Sequence, residues 1–141
     1  MSYSIILMDK YKVIITTSLF LLFFLNSCSS IDKNIPISHV KIKQQGMHQN
    51  DRPKMANTCK GFILTEQQVL DFYIYSSLVN ENLLSNKYKI LPCYISGTAY
   101  IYGELFSWRI RSGGIGEFFN DNKRFLKVCG KNCCKKATGI C

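Results

Sequence analysis

Sulfur is the chemistry this 141-residue chain carries in quantity: it has seven cysteines, four of them, Cys129, Cys133, Cys134 and Cys141, crowded at its end. Four thiolates can hold zinc tetrahedrally, but structural zinc sites usually read as two Cys-x-x-Cys pairs, whereas here the intervals are four, one and seven residues. A thiol oxidoreductase needs Cys-x-x-Cys at a helix N-terminus to depress one thiol's pKa, and that spacing does not occur. Both histidines, His39 and His48, precede Cys59 in polar sequence, so neither is placed to activate a serine or cysteine in the part that folds. Of the carboxylates there, Glu66 sits where a helix dipole accounts for it, and Glu104 and Asp121 fall in turns. Glu104 with Glu117 would be the pair for a hydrolase, but the same placement suits solvated surface residues. Gly113-Gly114-Ile115-Gly116 lacks the strand-then-helix setting and the lysine of a phosphate loop. No catalytic constellation emerges from these residues.

The seventh cysteine has a different setting. Lys10 and Lys12 form a short positive segment before Val13 to Leu25, an uncharged run rich in Leu and Phe, which ends in Leu25-Asn26-Ser27-Cys28. As a helix that run would be about 20 Å long, short of a hydrocarbon core of about 30 Å, so it reads as a signal rather than a permanent span. Met8 opens a more typical signal than Met1. The ending resembles the lipobox of bacterial lipoproteins: Leu25 takes the usual leucine place and Ser27 the small-residue place, while Asn26 departs from the usual Ala or Ser. The resemblance implies cleavage before Cys28, a thioether from its sulfur to diacylglycerol, and an envelope location facing the periplasm or surface. Ser29 is not the aspartate that retains enteric members at the inner membrane, which favours the outer one.

Cleavage there removes Lys10, Lys12 and Asp9, leaving sixteen basic and eight acidic groups, net +8. Outside the cytoplasm, the polyanions within reach of such a surface are phospholipid and lipopolysaccharide phosphates and acidic wall polymers, not nucleic acid. The predicted partners are the membrane, through the anchor, and an envelope protein or anionic envelope polymer, with no cofactor. Arg109, Arg111, Lys123, Arg124 and Lys127 form the candidate binding surface.

The elements that must position these residues follow in order. Residues 28–57 are polar, carry Pro36, Gly46 and Pro53, and hold no sustained period; they read as a flexible tether, with at most a short strand over Val40 to Lys43. Residues 58–141 read as the domain. Thr65 as N-cap, Gln68 as its capping-box partner, and Leu64 with Val69 as a hydrophobic staple start a helix predicted to run to about Leu84. Its wide apolar stripe, including Val69, Phe72, Tyr73, Val79 and Leu83, suggests burial against a sheet. Beyond Pro92 the period changes: Tyr94 to Tyr102 and Phe106 to Arg111 predict a hairpin turning at Gly103-Glu104, with Phe106, Trp108 and Ile110 inward and Ser107, Arg109 and Arg111 outward. Glu117 to Phe119 and Arg124 to Cys129 predict two more strands. The expected fold is α+β, one N-terminal helix on an antiparallel sheet of about four strands.

Reserving Cys28 for lipid leaves an even six: Cys59, Cys93, Cys129, Cys133, Cys134 and Cys141. In an oxidising compartment that set predicts three disulfides, with 15 connectivities open and Cys133 and Cys134 not bonded to each other. From Cys59 through Leu91-Pro92-Cys93, Trp108-Arg109-Ile110 and Ser112-Gly113-Gly114 to Cys129, the pattern resembles small uncharacterised exported proteins of Gram-negative bacteria. The tail from Gly130 to Cys141 exceeds their shorter endings. That resemblance implies one disulfide-supported domain and no particular activity. The expected function is a non-catalytic, membrane-anchored binding module. The alternatives are a small periplasmic enzyme, hydrolase or thiol-related, or a zinc-binding tail.

Overall fold

The computed structural model describes residues 36–49 and 53–141. The lipobox residues, Cys28 among them, and residues 29–35 of the expected tether lie outside the described residues. Along the described chain come β1 (Ile37–His48), a single 3-10 turn (Pro53–Met55), α1 (Ala56–Cys59), α2 (Glu66–Tyr75), β2 (Ser77–Val79), α3 (Glu81–Lys87), β3 (Cys93–Ile101), β4 (Glu104–Arg111), β5 (Ile115–Phe119), β6 (Arg124–Val128) and α4 (Lys131–Lys136). The class is α+β, but the sheet has six antiparallel strands rather than four, in the order β1-β3-β4-β5-β6-β2.

Both additional strands arise where the sequence pattern is weakest. Residues 37–48, expected to belong to the tether, form β1, which lies along β3 with three register shifts and with Gly46 at φ +61. Each shift resets which face a side chain meets, so the polar and apolar residues never alternate long enough to read as a strand. Among the described residues a strand, not a helix, therefore comes first. β2, only three residues long, falls within the span predicted as helix.

That helix starts as expected: Thr65 Oγ1 accepts from the Gln68 N–H, and the Gln68 side chain accepts from the Thr65 N–H at 2.8 Å. It ends at Tyr75, not Leu84. Ser76 turns extended while its N–H donates to Phe72 O, and Asn80 then caps a second helix by accepting from the Leu83 N–H at 2.7 Å. Val69, Phe72 and Tyr73 are buried as read, but Leu83, expected on the same stripe, is 47% exposed. Val79 packs in a different place altogether.

The alternation along β4 sorts the core. Phe106, Trp108 and Ile110 point to the face covered by α2 and α4, where Phe72, Phe118 and Ile95 are also fully buried. Tyr73 meets Phe118 edge-on at 5.2 Å and Phe118 stacks on Phe125 at 5.2 Å, so aromatic rings seal the helix to the sheet. Gly97 lies opposite Trp108 on β3, and a Cβ there would fall 2.5 Å from the indole and 2.0 Å from Lys41 O; only glycine lets this ring lie flat across the strand. The other sheet face buries a smaller cluster, in which Leu84 of α3 packs on Ile115, Leu126 and Val128. Tyr102 (φ 49) and Gly103 (φ 82) make the two-residue turn of the β3–β4 hairpin, which sits one residue earlier than expected and puts Glu104 in the strand.

Three disulfides staple this small core: Cys59–Cys93, Cys129–Cys133 and Cys134–Cys141. The first ties α1 to the start of β3 across 34 residues, while the other two close tight loops that hold α4 and the chain end beside β6. By loop entropy the long bridge contributes about 3–4 kcal/mol and each short one about 2. Replacing Cys59 and Cys93 together by alanine should therefore lower the unfolding free energy more than replacing Cys134 and Cys141 together, by about 1–2 kcal/mol in denaturant titrations. Equal losses would show that the long-range staple does not carry the larger share.

Candidate anion-binding cleft

The outward residues of β4 stand where side-chain alternation leaves them, on the face that the short α3 covers only in part. Arg109 and Arg111, two residues apart, project from this face into a cleft of about 260 Å³ between α3 and the sheet. Glu117 lies opposite Arg109 on β5, and Leu126 lies opposite Glu117 on β6. Leu84, Ile90 and Ile115 form the apolar part of the lining. Arg124 closes the cleft from the start of β6.

The charged groups of the cleft are engaged unequally. Arg124 Nε donates to Glu117 Oε1 at 2.7 Å and its terminal nitrogen pairs with Glu81. These contacts, Glu117 above all, hold its guanidinium further up than an ordinary arginine. Arg111 donates to Leu91 O at 3.3 Å. The Arg109 side chain makes no hydrogen bond or ion pair among the described residues, and its Nε is buried without a partner. Both β4 guanidinium groups lie beside the Tyr94 ring, Arg109 at 4.8 Å and Arg111 at 5.6 Å, which supports them through cation–π attraction worth about 0.5–2 kcal/mol each. Burial pushes the Arg111 pKa down and the positive charge of Arg109 pushes it the same way; Glu117 and Tyr94 oppose them.

The cleft thus holds three arginines and two glutamates. Both glutamates are taken by Arg124, and Arg109 and Arg111 repel each other in a partly dehydrated setting. Guanidinium presents a planar fork of N–H donors that suits carboxylate or phosphate oxygens, so an oxyanion here would gain charge-assisted hydrogen bonds and relieve the repulsion.

The five basic residues expected to share one surface do not. Arg109, Arg111 and Arg124 line this cleft, whereas Lys123 and Lys127 line a groove on the opposite face. On a strand, residues three apart face opposite ways, which separates Arg124 from Lys127. Glu104 and Glu117 are likewise apart: Glu104 pairs with Lys123 at 2.7 Å beside the groove, and Glu117 pairs with Arg124 in the cleft. His39 and His48 fall on β1, and His39 packs edge-on against Tyr100 at 5.7 Å. The sulfurs of Cys129, Cys134 and Cys141, three of the four that the zinc alternative would use, lie within 4.8 Å of one another, but each is bonded in a disulfide. Sequence reasoning missed Glu81, Leu84 and Ile90 as cleft residues because they were assigned to a continuing helix or its exit. The one available signal was Asn80, a strong N-cap residue directly before Glu81. Compared with known proteins, the chain matches no family model, no curated protein and no solved structure.

Proposed function

We propose that this chain is a non-catalytic lipoprotein of a bacterial envelope, anchored through Cys28, whose domain binds an anionic group of an envelope polymer or protein in the Arg109–Arg111 cleft. The observation that carries this reading is Arg109 itself: a guanidinium beside a second one, its Nε buried without a partner and with no ion pair among the described residues, while Glu117 opposite it is held by Arg124. The basic balance, net +8 once residues 1–27 are removed, adds long-range attraction for such a partner. The anchor rests on the lipobox resemblance and on the charge-free run before it.

Two measurements test the two halves. Purified full chain should bind lipopolysaccharide more weakly as salt rises, and Arg109→Gln should weaken binding about tenfold, as expected for one lost charge-assisted contact to a phosphate. Lys123→Gln, in an exposed ion pair on the other face, should change it by less than about twofold. Equal affinity for dephosphorylated lipopolysaccharide would contradict an anion-directed cleft. For the anchor, Cys28→Ala should leave the product unprocessed or soluble and remove palmitate labelling, since two acyl chains at about 0.8 kcal/mol per buried CH₂ make attachment stable. Processing of the unaltered chain that is insensitive to globomycin would contradict lipidation.

A further inference from the structure

The face of the sheet that carries the core is not covered to its end. Beyond α2 an open groove of about 480 Å³ runs over the inner side of β3, β4 and β6, floored by Phe106, Phe125 and Ile101 and walled by Tyr73 and Ile74. Its rim leaves large apolar side chains in water: Tyr102 is 82% exposed, Leu78 72% and Ile74 42%. The three floor strands each have neighbours on both sides, so their backbone groups are engaged in the sheet and offer little to a bound peptide strand. Among the described residues the groove presents apolar side-chain surface and one cation without an ion pair, Lys127. Lys127 Nζ lies 4.4 Å from the centre of the Tyr73 ring, half-buried, with no carboxylate in reach among the described residues, whereas Lys123 nearby is held by Glu104. Burial pushes the Lys127 pKa down, a cost that an anion beside it would offset.

We propose that this groove binds a single-chain amphiphile with an anionic head, a long-chain fatty-acid carboxylate, its chain along Phe106 and Phe125 and its head on the Lys127 ammonium. Each part of the ligand answers one feature of the site. An acyl chain covers the apolar floor and rim without needing backbone hydrogen bonds, and a carboxylate supplies the charge that Lys127 lacks. A neutral chain would leave the lysine uncompensated. A short carboxylate would leave Leu78 and Tyr102 in water. The site lies on the opposite face of the sheet from the Arg109 cleft and does not depend on it.

The test uses the full chain in phosphatidylcholine nanodiscs with a diazirine-bearing palmitate as photoreactive probe. Crosslinks should map to residues 73–78, 101–106 and 123–127; unlabelled palmitate should compete, and hexadecanol about tenfold less well for want of the charge. Lys127→Gln should weaken labelling by a similar factor, and Ile74→Glu should abolish it. Should Ile74→Glu melt the domain, Tyr102→Ser at the exposed rim replaces it and should still reduce labelling. Crosslinks spread over the surface, equal competition by hexadecanol, or labelling unchanged in Lys127→Gln would each overturn the proposal.

Discussion

The structure depends on the register of one strand. β4 lies near the middle of the sheet, and side chains along a strand alternate between its faces, so one choice of register sends Phe106, Trp108 and Ile110 into the core and Ser107, Arg109 and Arg111 to the opposite side. A slip by one residue would put two guanidinium groups under α2 and an indole in water. The penalty for burying unpaired charge makes that alternative inaccessible. The indole of Trp108 lying across Gly97 fixes the pairing further, because no other β3 position between Cys93 and Ile101 lacks a side chain to admit it. Core and cleft are thus two sides of one constraint.

A second constraint is coverage. Six strands span about 24 Å at about 4.8 Å per step, whereas a helix with its side chains is only about 10–12 Å across. One ten-residue helix and the short α4 cannot cover the whole inner face, and the seven-residue α3 covers still less of the other. The groove beside Lys127 and the cleft beside Arg109 are two of the places where the sheet extends past its helices. The disulfides belong to the same economy of size: α4 is too short to hold itself against the sheet, and Cys129–Cys133 and Cys134–Cys141 do so covalently.

Much of this was legible where the chain is regular. The capping box at Thr65 and Gln68 and the alternation from Phe106 to Arg111 depend on spacing within a few residues, and both appear as read. What escaped reading depends on distant partners or broken periods. β1 pairs with β3 through bulges that scramble its faces, and Leu78, expected in a helix, lies in a three-residue strand that exists only because β6 is beside it. Three disulfides followed from the even count, but their pairing is a property of the folded chain: Cys59 meets Cys93 only once α1 is laid against β3. Proximity in sequence groups the five basic residues, whereas the period of β6 separates Arg124 from Lys127.

The central claim is that β4 holds Arg109 and Arg111 side by side for an oxyanion. It is tested most directly by nuclear magnetic resonance of the arginine Nε–Hε groups in the full chain while a phosphate-bearing envelope ligand is titrated in. The account predicts saturable shifts at Arg109 and Arg111, with slowed solvent exchange of the Arg109 Nε proton and smaller changes at Arg124, whose Nε–H is already donated to Glu117. Shifts confined to surface lysines, with Arg109 and Arg111 unmoved at saturation, would contradict it.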